Sequence, residues 1–106
     1  DNNGLQIDGA VEDVDSPYPI ADKFRAFNFH VVEVEDGNDF DMLRSAFKEA
    51  RLTKGMPTAI IMKTLKGKGV SYMEGVVGWH GKAPNEEQYK QAMEELTKAG
   101  EALCQK

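Results

Sequence analysis

Two runs of β-branched and apolar residues, Phe29-His30-Val31-Val32-Glu33-Val34 and Thr58-Ala59-Ile60-Ile61-Met62-Lys63-Thr64, are separated by a stretch of helical pattern. That alternation constrains the fold more than any other feature. Between the runs, Asp36-Gly37-Asn38-Asp39 reads as a turn in which Asn38 or Asp39 caps a helix by accepting from its free amides. Phe40, Leu43, Phe47 and Ala50 recur at helical spacing as its inner face, and the helix ends near Lys54-Gly55 with Pro57 beyond. A strand, a helix and a strand in that order predict parallel strands joined by a right-handed crossover. The fold class is therefore α/β, with parallel strands and flanking helices.

The flanks agree with this class. Pro17, Pro19 and the acidic stretch from Glu12 to Asp15 mark a loop. Ile20, Phe24 and Phe27 then give a short amphipathic helix that Asn28 breaks. After the second strand comes a glycine-rich loop from Gly67 to Gly81. Asn85 caps a final helix whose inner face is predicted as Tyr89, Met93, Leu96 and Leu103. Two strands alone make a poor sheet, so their edge calls for pairing with further chain.

The 106 residues suit one domain or part of one, and 41% hydrophobic with 29% charged residues is ordinary for a globular chain. A net charge of -5 disfavours nonspecific nucleic-acid binding and an anionic membrane partner. Cys104 is the single cysteine, which excludes an intramolecular disulfide and a thiolate metal cluster. No apolar run reaches membrane-spanning length. A cytoplasmic protein is the expectation, and the lack of an initiator methionine suggests a fragment.

Chemical content concentrates in three strings. The opening Asp1-Asn2-Asn3-Gly4-Leu5-Gln6-Ile7-Asp8-Gly9 is a polar, glycine-punctuated turn. An Asn side-chain oxygen and a main-chain carbonyl two residues on are neutral ligands suited to Mg²⁺ or Ca²⁺. By itself Asn3-Gly4 is also a common turn dipeptide. Lys66-Gly67-Lys68-Gly69 follows a strand, where α/β proteins bind ligands, and its glycines let the backbone approach a phosphate that Lys66 or Lys68 neutralises. It lacks P-loop spacing, and in isolation reads as a solvated basic turn. In Gly78-Trp79-His80-Gly81-Lys82-Ala83-Pro84, the flanking glycines, an anchoring Trp79 and a stiffening Pro84 present His80 as a donor or proton carrier. Loop support is the equal alternative there. His30, at a strand start among apolar neighbours, reads as structural, and the methionines as core or filler.

In these strings, and in the order of its helices and strands, the chain resembles transketolase, the thiamine diphosphate-dependent transferase of two-carbon ketol units between sugar phosphates. The carrying residues are Asp1 to Gly9, Lys63-Thr64-Leu65-Lys66-Gly67-Lys68-Gly69, and Trp79-His80-Gly81-Lys82-Ala83-Pro84. Trp79 to Pro84 is similar to the form found in split transketolases, whose halves are separate chains. The resemblance implies that residues 1–106 are the C-terminal part of the thiamine diphosphate-binding domain, within the N-terminal subunit of a split enzyme of the pentose phosphate pathway. It implies that Asn3 gives its side-chain oxygen, and Leu5 its backbone carbonyl, to the divalent metal. Ile7 would pack near the thiazolium. Lys66, where many transketolases carry Ile, would lie against the cofactor, as in the animal-like branch. His80 would touch the diphosphate and the substrate as the catalytic residue for proton movements.

The family's metal motif opens with Gly-Asp-Gly, which occurs nowhere in this chain. The pyrimidine-binding domain and its activating glutamate are also missing. The resemblance therefore implies a partial site, inactive alone, in a homo- or hetero-oligomer completed by a pyrimidine-binding chain or domain. Rival readings are another enzyme of the same cofactor class (1-deoxyxylulose-5-phosphate synthase or a 2-oxo acid dehydrogenase component) and a non-catalytic subunit-assembly module. Trp79-His80-Gly81-Lys82 favours transketolase over the two enzyme rivals.

Overall fold

The computed structural model describes residues 1–105. They form two compact units, Asp1–Thr64 and the described residues from Leu65 onward.

The first unit is built on β3 (His30–Val34) and β4 (Thr58–Met62), after a hairpin of β1 (Leu5–Gln6) and β2 (Gly9–Ala10), the single helical turn α1 (Val11–Val14), and α2 (Ile20–Ala26). The helix α3 (Phe40–Leu52) carries the chain from β3 to β4. The two strands run parallel, with His30 opposite Thr58 and Val34 opposite Met62. Parallel strands need such a crossover, and α3 supplies it.

Side chains alternate across a strand, and the two faces of β3 have different neighbours. Val32 and Val34 pack with Ala46 of α3, joined by Ile60 and Met62 of β4. On the same face His30 bonds Glu49 of α3 at 2.7 Å, a contact that ties the strand start to the helix. On the other face Glu33 meets Arg25 of α2 at 2.7 Å, and Phe29 meets Phe24 edge-on at 5.2 Å. Helices thus lie on both faces of β3.

The ends of the elements follow local chemistry. Asn28 adopts φ +62°, the left-handed conformation that ends α2. Of the two capping candidates Asp39 is the N-cap of α3, accepting from the amides of Asp41 (2.8 Å) and Met42 (2.9 Å). Gly37 sits so close to β4 that a Cβ there would lie 2.7 Å from Met62 Cβ. The open edge of β4 is partly met from within the chain: Asn2 donates to the Met62 carbonyl at 2.8 Å in a parallel bridge beside Lys63.

The second unit is a looped segment ending in a 3-10 turn (Val77–Trp79), followed by α4 (Glu86–Cys104). Asn85 caps α4 through a reciprocal capping box with Gln88. Among the described residues no helix is long and apolar enough to cross a membrane.

Several expectations are corrected. The stretch Glu12–Asp15 is not all loop, because Val11–Val14 closes one helical turn with Asp15 donating to the Val11 carbonyl. The buried face of α3 is centred on Ala46 (3% exposed), while Phe47 is 53% and Phe40 71% exposed. The strands approach α3 where its side chains are small, which turns the phenylalanines to the flank. In α4 the buried residue is Ala92, with Gln88 and Glu95 half-buried beside it. Tyr89, Met93, Leu96 and Leu103 are exposed, because polar anchors to the preceding loop set the rotation of this helix.

This inversion of α3 is testable by equilibrium unfolding. Ala46→Leu overfills the tight contact with Val32 and Val34 and should cost about 1–3 kcal/mol. Phe47→Ala removes a half-exposed ring and should cost under about 1 kcal/mol. A larger loss for Phe47→Ala would return the phenylalanine to the core.

Candidate functional site

The opening string folds as the β1–β2 hairpin, with Leu5 opposite Ala10 and Gln6 opposite Gly9. Ile7 and Asp8 form its turn, and Ile7 is exposed. The Asn3 side-chain oxygen accepts the Leu5 amide at 2.9 Å, an Asx turn that fixes the carbonyl dipole of Asn3 against the start of β1. The Asn3 amide nitrogen donates back to Asp1 at 3.3 Å. Val11 donates to the Gly4 carbonyl at 2.9 Å and closes the hairpin base. Asn2 receives the Tyr18 hydroxyl at 2.8 Å, while its own amide bonds Met62. Asn3 and Leu5 are therefore brought together at the carboxyl end of β4. In the same hairpin the Gln6 side-chain nitrogen is buried without a partner. Among the described residues no group of three or more His, Cys, Asp or Glu could hold a metal. The ligands that Asn3 and Leu5 offer a cation are neutral oxygens.

Lys66 and His80 lie in the second unit. The Lys66 carbonyl accepts Gly75 N–H at 2.9 Å and closes a tight loop. Gly67 makes the closure possible, with φ +73° and space so restricted that a Cβ would lie 2.6 Å from the Met73 carbonyl oxygen. Lys68 approaches Glu74 at 3.7 Å, and the same carboxylate takes the Gly69 amide at 3.0 Å. Lys66 pairs with no carboxylate among the described residues, so it is the better placed of the two lysines for an external anion.

His80 follows the 3-10 turn and is exposed, its amide bonded to the Val77 carbonyl at 2.9 Å. Its neighbour Trp79 is anchored, as expected. The indole N–H donates to the Tyr72 carbonyl at 2.9 Å, the two rings lie 5.2 Å apart, and the Lys82 ammonium sits 4.9 Å over the indole. Tyr72 in turn donates its hydroxyl to the Gln88 carbonyl of α4 at 2.7 Å.

Residues 1–101 match the model of the transketolase thiamine diphosphate binding domain. The chain belongs to that family. It is 40% identical over 100 residues to the 6-deoxy-6-sulfo-D-fructose transketolase subunit of a Clostridium species, covering 94% of this chain and 36% of that one. It is also 40% identical over 103 residues to an apulose-4-phosphate transketolase subunit of Phocaeicola vulgatus, covering 97% of this chain and 36% of the other. Among solved structures, the transketolase of Campylobacter jejuni superposes with a TM-score of 0.79 at 31% identity, over 90% of this chain and 15% of that one. The chain thus spans about a third of the length of the two subunits it matches. The α/β fold, with parallel strands and helices, is the one these transketolase neighbours share.

One feature of this transketolase-family chain escapes a reading by motif. Glu95 of α4 takes the Ser71 hydroxyl at 2.6 Å, the Ser71 amide at 2.7 Å and the Gln91 side chain at 2.8 Å. Gln91 also donates to the Ser71 hydroxyl oxygen at 3.2 Å. In sequence Glu95 is one more acidic residue on a charged helix. The one signal there is weak: Glu86–Lys90 and Glu94–Lys98 form the i,i+4 ion pairs, and Glu95 shares Lys98 only through its charge.

The Ser71 hydroxyl, then its amide and the Gln91 side chain, hold the Glu95 carboxyl below its usual range. A depressed folded-state value contributes stability that is complete above the unfolded pKa and disappears as pH falls through the folded one. On acidification the wild-type chain should therefore lose its advantage over Glu95→Gln. Urea midpoints measured from neutral pH into acid check this, and a constant difference between the two chains would show that the contact does not depend on the charge.

Proposed function

We propose that this chain, residues 1–106, is the C-terminal part of a thiamine diphosphate-binding domain in a transketolase that transfers a two-carbon ketol unit between sugar phosphates. The observation that carries the reading is the family match over 1–101, which takes in every residue assigned below. The relatives named as transketolase subunits support a split enzyme in which a pyrimidine-binding chain completes the site. Those names also carry sugars with a sulfo or phosphate group, which supports an anionic sugar substrate.

The donor chemistry fits a metal–diphosphate group. Asn3 Oδ1 is a neutral oxygen held in place by the Leu5 amide, and the Leu5 carbonyl lies two residues on. Such oxygens suit Mg²⁺ or Ca²⁺, whose shell is completed by phosphate oxygens and a carboxylate. Ile7, exposed on the hairpin turn, offers an apolar surface for the thiazolium. Lys66 offers a cation to the cofactor. When bound, thiamine diphosphate supplies the electron sink for carbon–carbon bond cleavage and formation. His80, on its anchored loop, binds the diphosphate and substrate oxygens and moves a proton at the substrate hydroxyl or carbonyl.

Two measurements on the completed enzyme test these roles. Asn3→Ala should raise the concentrations of Mg²⁺ and cofactor needed for half-maximal rate, and excess of both should restore part of it. An unchanged metal requirement would remove Asn3 from the ligand set. His80→Ala should lower turnover at saturating cofactor by about a hundredfold, the scale of a lost general acid–base group. His80→Asn, which keeps a hydrogen-bonding side chain, should recover binding more than rate. Near wild-type turnover in His80→Ala would leave His80 as loop support.

A further inference from the structure

We propose that Glu95 is a positioning residue for the Trp79-His80 segment, acting through Ser71. The inference deepens the function proposed above, because it rests on reading His80 as the residue that meets substrate.

Its basis is a continuous set of directed contacts within the second unit. Glu95 grips a single loop residue with both oxygens: one accepts the Ser71 hydroxyl at 2.6 Å, the other the Ser71 amide at 2.7 Å. Gln91, one helical turn earlier, braces the carboxylate at 2.8 Å. The next loop residue, Tyr72, is fixed to the same helix through Gln88 at 2.7 Å. Its carbonyl then receives the Trp79 indole at 2.9 Å, and the following residue is His80. Gln91 and Glu95, four apart, meet Ser71 with their side chains, and the Gln88 main-chain carbonyl holds Tyr72 one turn earlier. The loop has little apolar material to hold itself, since Val70 is its one buried hydrophobic residue among those described.

The charge makes this an unusual use of a helix glutamate. Lys98 pairs with Glu94 at 2.6 Å and acts on Glu95 only through its charge. Glu95 is left to accept hydrogen bonds from neutral donors, and bonds to an ionised acceptor are the shorter and stronger kind. Held at Ser71 and Tyr72, the segment fixes where the indole of Trp79 docks. A histidine that transfers a proton requires that accuracy, because a displacement of about 1 Å can cost about a hundredfold in rate.

The test separates the positioning role from the role of His80. In the 106-residue chain, Glu95→Gln should shift the Trp79 indole N–H resonance toward that of free indole and speed its hydrogen exchange, while the Ala92 amide stays protected. Ser71→Ala should produce the same shift in part, and Ser71→Thr, which keeps the hydroxyl, should restore it. Ser71→Ala also serves if Glu95→Gln does not fold. In the completed enzyme at saturating cofactor, Glu95→Gln should lower turnover by about tenfold to a hundredfold. An unmoved indole resonance in a folded Glu95→Gln or Ser71→Ala chain would overturn the proposal whatever His80 does. A shifted indole resonance in an enzyme whose His80→Ala form keeps full turnover would support the positioning of the segment and remove the catalytic role of His80 alone.

Discussion

The parallel pairing of β3 with β4 is the contact on which the rest of the first unit depends. It requires a crossover, and α3 serves as one because Ala46 is small enough to meet Val32 and Val34 closely. The pairing also creates a carboxyl end where several segments converge on β4 and the residue after it. Lys63 donates to the Val34 carbonyl at 2.9 Å and accepts from Gly37 at 2.6 Å, while Asn2 donates to Met62 at 2.8 Å. The hairpin bearing Asn3 and Leu5 is therefore attached at the carboxyl end of a parallel strand, where open α/β sheets bind ligands. Removing the ladder would leave that hairpin with only its own two-residue strands, far too little to persist by itself.

The second unit is specified differently. Its buried apolar residues, among those described, are Val70 and Ala92. Hydrophobic burial is not directional, so two such residues cannot determine how a long loop lies against a helix. Hydrogen bonds can, and here they run from Ser71, Tyr72 and Trp79 to one another and to α4. The glycines of Lys66-Gly67-Lys68-Gly69 act in the same way. At Gly67 the limiting factor is steric, since the Met73 carbonyl occupies the space a side chain would need.

The longer elements and their ends are legible in the sequence because they depend on near neighbours, whereas the two-residue strands β1 and β2 and the single turn α1 are not. Asn28 ends α2, Asp39 begins α3 and Asn85 begins α4, each through a conformation or a bond reaching only a few residues along the chain. The two strands could be read from their β-branched content, and the three motif strings from their residue types. Helix rotation was not legible. Phe40 and Phe47 share a helical stripe with Leu43 and Ala50, and nothing local says that the sheet will take the small residues and leave the large ones on the flank. The same holds for Glu95, whose partner Ser71 lies 24 residues away. Periodicity finds an amphipathic stripe, but tertiary contacts decide which part of it is buried.

The donor set on the hairpin has a consequence for assembly on the proposed reading. As ligands, the neutral oxygens of Asn3 and Leu5 would orient a hard dication and hold it weakly, because most of the affinity of such sites comes from anionic ligands. On that reading the charge would come from the diphosphate and a carboxylate ligand. Cofactor, metal and the remainder of the enzyme then become linked, each binding more tightly once the others are present. Under that linkage Asn3 and Leu5 act chiefly to choose the geometry, fixed in advance by the 2.9 Å bond between them, while the ligands that arrive later supply the energy.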